Sequence, residues 1–316
     1  MPEPEYSIVV ETFTFQEGGD TERFFRVLDA AVSMAAEDGG EVLLIDVCGF
    51  PDLHAVLRER FPTARVVPAV GMGYDDAKMK AAREAKGSYV LYLDGDCLPL
   101  PGWRDAMVAE LRSGRAAVGG YTRYDGGYVA ALESVMDFGF LYPCEPRPLE
   151  CYAFNNSGFN RASMLEIPAG SPFLRCACYK HAQDFKRRGT PVWMVPKARV
   201  LHERQPLVRE RTRQGFDKVA AAWADPTVRE ARWLRFRLPS VVSFYLIDVL
   251  LDWRRLAQAR APLGLSVPAW LSMFPLFPLV RRLDVWGMLR ALAGGPVDGG
   301  WLGSMASERS DIGAVG

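Results

Sequence analysis

Short apolar runs alternate with helical patterns over the first hundred residues, and this alternation constrains the fold more than any other feature. Residues 6–10, 41–47 and 88–93 form three of these runs, each aliphatic and bounded by turn formers. Between the first two, apolar residues from Phe24 to Ala35 recur at helical spacing until an Asp-Gly-Gly sequence ends the pattern. Strands that alternate with helices predict an open, doubly wound α/β sheet.

The same patterns extend the prediction along the chain, less regularly after Trp103. Further helices are predicted at about residues 53–61, 74–85, 103–111 and 178–188, and further strands at about residues 64–67, 116–121 and 192–196. Residues 121–172 show little periodicity and are predicted to be rich in loops.

Acidic residues collect at one edge of this predicted sheet. In doubly wound sheets, ligands bind beyond the carboxyl ends of the strands. The residues expected there are Glu11, Thr12, Asp46, Asp94 and Asp96. Each alone could be a turn former, but four carboxylates at one edge indicate a site.

The sequence YLDGDCLP carries the most specific motif, an apolar strand followed directly by Asp94-Gly95-Asp96. In an extended segment, residues i and i+2 project to the same side, so both carboxylates can bind one divalent cation. A diphosphate leaving group gains negative charge as it departs, and Mg²⁺ or Mn²⁺ neutralises that charge. The motif therefore predicts a metal-dependent transferase.

The sequence also resembles a known family. The segments SIVVET, EVLLID, GSYVLYLDGDCLPLPGW and PKARVLHE are similar to those of family 2 glycosyltransferases, and the resemblance spans about residues 7–203. It implies the GT-A fold, an open mixed sheet with helices on both faces. It also implies inverting, hexosyltransferase-like transfer from a nucleotide-diphosphate sugar to an acceptor hydroxyl. The expectation of a saccharide or lipid-linked acceptor, in cell-surface polysaccharide or glycolipid synthesis, depends on the apolar C-terminal segment.

The resemblance also implies roles for particular residues. Glu11, Thr12, Asp46, Lys78 and Asp94 would bind the donor, Asp96 would be the principal ligand of Mn²⁺ or Mg²⁺ with Asp94 and His202 beside it, and Asn155 and Asn156 would lie on the acceptor side. The two asparagines fit equally well as turn formers. Met79 stands where many relatives have asparagine, and only a local change in the donor pocket is expected.

The general base is the main departure from the family pattern. Inverting members carry a Glu-Asp pair at the start of the helix before Gly189, whereas this chain has Ala177 and Cys178. A thiol is a poor replacement for that carboxylate. His181 and Asp184, one and two helical turns further on, are the candidate bases, although a solvated helix face explains either residue as well.

The C-terminal part differs in composition. Residues 238–283 are strongly apolar, but Asp248 and three prolines interrupt them, so neither apolar stretch forms a clean transmembrane span. Tryptophans with flanking arginines suit helices that lie in a membrane interface, and a hairpin packed on the catalytic domain or on a dimer partner is the alternative. The predicted domains are 1–232, with a nucleotide-binding half at 1–115 and an acceptor half at 116–205, a helical appendage at 233–293, and a flexible tail at 294–316.

Composition narrows the remaining classes of function. Lysine plus arginine (38) equals aspartate plus glutamate (38), so no nucleic-acid partner is expected. Six scattered cysteines and no visible export signal predict a cytoplasmic protein, either free or peripheral on the cytoplasmic face of a membrane. A nucleotidyltransferase is disfavoured because ETFTFQEGG lacks G-x-G spacing after the first strand. A non-catalytic scaffold with this fold is the third alternative.

Overall fold

The structure is a computed structural model and describes residues 3–16, 20–49, 51–169, 177–224 and 238–294. The strands are β1 (Tyr6–Glu11), β2 (Glu41–Asp46), β3 (Ala64–Pro68), β4 (Tyr89–Leu93), β5 (Cys97–Pro99), β6 (Ala117–Tyr124), β7 (Asn156–Asn160) and β8 (Trp193–His202). The helices are α1 (Phe13–Gln16), α2 (Thr21–Asp38), α3 (Pro51–Arg60), α4 (Tyr74–Glu84), α5 (Trp103–Arg112), α6 (Tyr128–Phe138), α7 (Arg161–Glu166), α8 (Ala177–Arg187), α9 (Leu207–Ala224), α10 (Leu238–Ala259), α11 (Val267–Met273) and α12 (Leu276–Leu292).

All eight strands belong to one mixed sheet with the order β3-β2-β1-β4-β7-β6-β8-β5. Strands β1 to β4 are mutually parallel, β7 is antiparallel to both of its neighbours, and β5 is antiparallel to β8. The predicted α/β sheet is therefore confirmed, with parallel pairing confined to its first half and to the β6–β8 pair. The sheet and its helices form one compact unit, drawn from the ranges 1–126, 140–171 and 176–203.

Local sequence explains why α2 covers this sheet. Asp20 caps the helix by accepting a hydrogen bond of 2.8 Å from the backbone N–H of Glu22, and Gly39 ends it in the left-handed conformation (φ 77°). Between these caps, Phe24 and Leu28 are fully buried against β1, whose six residues are all buried. Burying each large apolar side chain contributes roughly 1.5–3 kcal/mol.

The expectation of a loop-rich stretch at residues 121–172 is wrong. This stretch contains α6, β7 and α7. Strand β7, with the sequence NSGFN, has almost no β-branched residues, so periodicity did not reveal it. It is held instead by ladders to β4 and β6 on its two sides, which shows tertiary pairing overriding local propensity.

The second compact unit is helical and is drawn from residues 127–139 and 204 onwards, so the predicted helical appendage is confirmed. It begins earlier than the predicted boundary at residue 232 because α9 packs closely on α12. A Cβ atom on Gly215 would come within 1.9 Å of the carbonyl oxygen of Asp284, and one on Gly287 within 1.9 Å of that of Thr212. The predicted flexible tail, apart from Gly294, lies outside the described residues.

Substitution of Gly215 by alanine tests this close helix crossing. The added methyl group has no space unless the backbone of α12 moves, so Gly215→Ala is expected to destabilise the helical unit by about 1–3 kcal/mol. Ala257→Ser, an exposed change on α10, is the control and should stay within about 0.5 kcal/mol of the unchanged chain. Urea unfolding followed by circular dichroism measures both, and equal midpoints would contradict the crossing.

Candidate active site

Three potential metal ligands, Asp96, Cys97 and His202, lie together just beyond the carboxyl end of β4. One carboxylate oxygen, the Cys97 Sγ atom and one imidazole nitrogen are within 4.8 Å of one another. Asp96 and Cys97 are buried, and 19% of the His202 side chain is exposed. The cluster is therefore shielded on the protein side and reaches solvent through the histidine.

The pairing of β5 with β8 assembles this cluster. The two strands are antiparallel, and Cys97 stands opposite His202 in their register. The backbone N–H of Glu203 donates a hydrogen bond of 3.1 Å to the carbonyl oxygen of Asp96, which extends the pairing by one residue. Residues more than one hundred positions apart in the sequence are thus fixed beside each other by backbone hydrogen bonds.

The orientation of the His202 ring is set by the same segment. Its Nδ1 atom lies 2.7 Å from the carbonyl oxygen of Glu203. Because a carbonyl oxygen can only accept, Nδ1 carries the hydrogen and Nε2 carries the lone pair. Nδ1 also lies 3.5 Å from a carboxylate oxygen of Asp96. Nε2 is therefore the nitrogen able to bind a cation.

The donor set fits a divalent cation. Burial raises the pKa of Asp96, against the lowering effect of His202. Burial, reinforced by the charge of Asp96, raises the pKa of Cys97 well above its usual range. A cation would stabilise the charged forms that burial disfavours. The carboxylate of Asp96 is the donor type that suits Mn²⁺ or Mg²⁺, while a histidine nitrogen and a cysteine sulfur are donors typical of Zn²⁺.

Asp94 lies outside this cluster, and its role as a metal ligand stays a prediction. The prediction assumed an extended segment, but the chain turns after β4, and the turn is closed by a hydrogen bond of 3.0 Å from Cys97 N to the Asp94 carbonyl oxygen. The Asp94 carboxylate instead pairs with Lys78 and accepts hydrogen bonds of 2.9 and 2.8 Å from the Tyr74 hydroxyl. Cys97, which the sequence analysis missed, takes its place in the cluster.

Lys78 provides the positive charge on this side of the site. Its side chain is 1% exposed, and its ammonium group lies 4.2 Å from the centroid of the Tyr74 ring and 4.7 Å from that of Phe154. An aromatic enclosure stabilises a cation that burial would otherwise disfavour. Tyr74 was not predicted, although its place at the start of α4, four residues before Lys78, puts both on one helix face.

Glu11 joins β1 to the turn that carries Asp94. Its carboxylate accepts hydrogen bonds from the backbone N–H groups of Phe13 and Gly95, the latter of 3.3 Å. A Cβ atom on Gly95 would come within 2.6 Å of the Glu11 carbonyl oxygen, so glycine is required there. Burial, followed by the charge of Asp94, raises the pKa of Glu11 well above its usual range.

Thr12 and Asp46 meet at the ends of β1 and β2, as the sequence predicted for one sheet edge. The Thr12 hydroxyl lies 3.3 Å from a carboxylate oxygen of Asp46, which also accepts from the backbone N–H groups of Cys48 and Gly49 at 3.0 Å. Asp46 is fully buried. Its observed contacts organise the turn after β2, and contact with a nucleotide base stays a prediction.

Arg23, also missed by the sequence analysis, connects the segments that carry the metal ligands. This buried guanidinium donates to the carbonyl oxygens of Asp96 and Leu201 and forms a salt bridge of 2.7 Å with Asp125. The backbone N–H of Asp125 in turn donates to the carbonyl oxygen of His202 at 2.8 Å. One side chain therefore braces both strands of the cluster.

The candidate base His181 lies inside a packed aromatic cluster with Phe154, Phe159 and Phe185. Its Nε2–H donates to the carbonyl oxygen of Ile167 at 2.7 Å, and its Nδ1 accepts from the Tyr152 hydroxyl at 2.6 Å. Burial lowers the pKa of His181 to about 4. Because both nitrogens are engaged in the core, this geometry does not favour His181 as the base.

The start of α8 lies closer to the site than its later turns. Burial, followed by the charges of Cys151 and Asp75, raises the pKa of Cys178 well above its usual range, so the thiol stays neutral. Asp75 is a buried carboxylate in the first turn of α4. Asp184, two turns further along α8, pairs with Arg187 at the surface. Asp75 is thus a buried carboxylate near Cys178 that the sequence analysis missed.

The two asparagines differ in their surroundings. Asn156 belongs to β7, is fully buried, accepts from the Trp103 indole N–H at 2.8 Å and donates to the Ala198 carbonyl oxygen at 3.1 Å. Asn155 is 8% exposed, accepts from the Thr122 hydroxyl and lies in the turn closed by the hydrogen bond from Asn156 N to the Ala153 carbonyl oxygen. The Asn156 amide is thus used within the core, and an acceptor contact of either asparagine stays a prediction from sequence.

Arg23→Met is expected to weaken Mn²⁺ binding by about tenfold or more without unfolding the chain, because residues that orient metal ligands typically matter on that scale. Arg26→Met, an exposed change one turn along α2, is the matched control. Calorimetric titration with Mn²⁺ measures both. Equal affinity in the two variants would show that Arg23 does not position the cluster.

His181 should also make stability depend on pH. Its folded pKa of about 4 lies below the ordinary value of 6.5, so the unfolded chain binds an extra proton between these values and stability falls as the pH is lowered through them. His181→Gln, which cannot titrate, should lose about 2–3 kcal/mol less than the unchanged chain between pH 7 and pH 4.5. Urea unfolding at both pH values tests this, and equal losses would contradict the burial argument.

Comparison with known proteins finds one matching family model and several similar folds. Residues 26–165 match the model of glycosyl transferase family 2. The mannosyltransferase PcManGT from Pyrobaculum calidifontis, solved with GDP-Man and Mn²⁺, is similar in fold, with a TM-score of 0.57, 16% identity, and coverage of 92% of this chain and 88% of that one. GalNAc-T7, solved with UDP, GalNAc and Mn²⁺, has a TM-score of 0.50 and 14% identity, covering 64% of this chain and 44% of that one.

No curated protein matches the sequence. The family match spans β4, the turn after it and Cys97, and the similar structures share the mixed sheet. Residues 26–165, less than half of the chain, are similar to glycosyl transferase family 2, and the fold of the chain is the GT-A fold.

Proposed function

We propose that this chain transfers a hexosyl group from a nucleotide-diphosphate sugar to an acceptor hydroxyl, with the help of a divalent cation. One observation carries the proposal: the Asp96, Cys97 and His202 cluster lies directly after the turn at which Asp94, Lys78 and Tyr74 meet. A cation site beside a buried lysine suits a diphosphate, whose negative charge both can bind. A bound Mn²⁺ or Mg²⁺ would stabilise the charge that develops on the leaving diphosphate.

The residues around the turn have distinct roles in this proposal. Asp96, Cys97 and His202 would hold the cation. Asp94 and Tyr74 position Lys78, which would bind the donor diphosphate or ribose. The ends of β1 and β2, which carry Glu11, Thr12 and Asp46, form the surface on which a nucleoside would lie. The complexes of the two similar structures with GDP-Man and with UDP and GalNAc support a nucleoside-diphosphate donor.

The acceptor hydroxyl requires a base, and we assign Asp75 as its first candidate. Asp75 is buried and its charge acts on both Cys178 and Tyr152, so it lies beside the start of α8, where inverting relatives carry their carboxylate. His181 and Asp184 stay predictions from sequence. Direct attack by the acceptor hydroxyl, assisted by this base, would invert the configuration at the anomeric carbon, which NMR of the product would test.

We further propose that the acceptor is a saccharide or a lipid-linked sugar of cell-surface polysaccharide or glycolipid synthesis, reached while the chain is peripheral on the cytoplasmic face of a membrane. Residues 238–283 support this location, because exposed apolar side chains lie along the helices of that segment.

Asp96→Ala is expected to remove Mn²⁺-dependent binding of nucleoside diphosphates and their sugars and to reduce turnover at least a hundredfold, because the variant loses the central carboxylate of the cluster. Calorimetry with a panel of nucleoside diphosphates, with and without Mn²⁺, measures the binding. Glu59→Ala, which removes an exposed carboxylate on α3, is the control and should bind as the unchanged chain does.

Other outcomes of this experiment would point elsewhere. Pyrophosphate release on turnover would favour a nucleotidyltransferase. Absence of binding to every nucleotide in the unchanged chain would leave a non-catalytic protein with this fold.

The assignment of the base predicts a separate result. Asp75→Asn should lower kcat by about 10²–10⁴-fold while the donor dissociation constant stays within about threefold, because a base acts on the acceptor proton. Cys178→Ala, His181→Gln and Asp184→Ala, measured in parallel, should each retain more activity than Asp75→Asn. Full turnover by Asp75→Asn would remove it from this role.

A further inference from the structure

Helix α10 exposes an entirely apolar surface over its first four turns. The exposed residues between positions 238 and 251 are Leu238, Pro239, Val242, Leu246, Ile247, Leu250 and Leu251. Five of the leucine, valine and isoleucine side chains are more than half exposed, and Leu250 is 60% exposed. A solvent-facing helix surface without an exposed polar residue indicates a surface that another molecule covers when the protein functions.

Neighbouring helices extend this surface. Tyr245 donates a hydrogen bond of 3.1 Å to the carbonyl oxygen of Pro278, and Trp253 donates one of 2.9 Å to that of Phe274, so α10 lies beside the segment that joins α11 to α12. Leu271 on α11 is 53% exposed, and α12 exposes Leu279 (51%) and Trp286 (59%). We call the exposed apolar residues of α10, α11 and α12 the apolar face.

The charges of these helices are sorted by sign. All three acidic residues are held inward, since Asp252 and Asp284 are buried on Arg281 and the Asp248 side chain, 18% exposed, pairs with Lys218. The exposed charged residues of the described segment 238–294 are all arginines, at positions 254, 260 and 282.

Two of these arginines lie within the apolar face. Arg254 follows Leu250 by one turn on α10, and Arg282 lies between Leu279 and Trp286 on one side of α12, at spacings of three and four residues. Arginine beside tryptophan and leucine matches the boundary between lipid headgroups and acyl chains, where the guanidinium reaches phosphate and the apolar groups enter the hydrocarbon.

We infer that the apolar face binds the surface of a membrane rich in anionic lipids, with α10 lying in the plane of the interface. The inference specifies the peripheral membrane contact of the proposed function, because it names anionic lipid headgroups as the partner. It rests on the proposed function only for the location of the acceptor. None of the described helices is long and apolar enough to cross a membrane. Lying parallel to the surface would place the exposed apolar side of this 22-residue helix in the interface.

Charge favours a lipid surface over a second copy of the chain. In a symmetric dimer formed through this face, Arg254 and Arg282 would meet the same cationic surface of the partner, with no exposed acid on these helices to neutralise them. Anionic headgroups supply the opposite charge, and each arginine near such a surface strengthens binding by roughly fivefold.

Co-sedimentation of the full chain with vesicles tests the inference. The chain is expected to bind phosphatidylcholine vesicles containing about one-third phosphatidylserine at least tenfold more tightly than vesicles of phosphatidylcholine alone, and high salt should reduce this preference. Leu246→Glu with Leu250→Glu should abolish binding to both. Arg254→Glu with Arg282→Glu should remove the preference for anionic vesicles by more than about tenfold while leaving the apolar residues intact.

Matched controls lie on the other compact unit. Val56→Glu introduces the same change at an exposed apolar residue of α3, and Arg26→Glu with Arg58→Glu reverses two exposed arginines of α2 and α3. Both controls should bind vesicles as the unchanged chain does. Mn²⁺-dependent nucleotide binding by every variant, measured in parallel, shows whether the sheet unit is folded and keeps this test separate from the proposed transferase activity.

Two results would overturn the inference. One is no vesicle binding by a chain that still binds a nucleotide, which leaves the transferase proposal standing. The other is a dimer in light scattering that Leu246→Glu with Leu250→Glu dissociates, without vesicle binding, because the face would then be a contact between copies.

Discussion

The antiparallel pairing of β5 with β8 is the interaction on which the site depends. Three residues of β5 pair with the end of β8, and this short ladder sets Cys97 opposite His202. Arg23 reinforces it by binding the backbone of Asp96 and of Leu201. Because the ladder is made of backbone hydrogen bonds, the ligands are positioned before any cation or donor arrives.

Buried charge is handled differently in the two compact units. In the sheet unit, burial raises the pKa values of the carboxylates of Glu11 and Asp96. Shifted pKa values of this kind are typical of functional sites, and a bound cation would stabilise the charged forms. In the helical unit, Asp252 is buried and paired with Arg281 through two hydrogen bonds of 2.7 and 2.9 Å. These ions neutralise each other, so they hold α10 and α12 together.

Secondary structure was predicted correctly from the sequence where a single local pattern of residues determines it. The order of the strands and helices from Tyr6 to Leu93 follows from apolar periodicity and from turn residues, and the structure confirms it. The C-terminal helices were likewise evident from composition. The reasoning was wrong at β7, whose sequence has no strand pattern, and at Asp94, where the assumed extended geometry is a turn. No sequence motif marked these residues as part of the site: Arg23, Tyr74, Asp75 and Cys97.

The sequence by itself determined that an acidic edge follows an α/β sheet, because strand and helix periods are local and the carboxyl ends of parallel strands share one side. It also determined that His202 and the carboxylates are chemically able to bind a cation. Only the tertiary structure decided which of them meet. Cys97 joins Asp96 and His202, and Asp94 turns to Lys78, because register across a sheet is a property of distant backbone pairing that no sequence window contains.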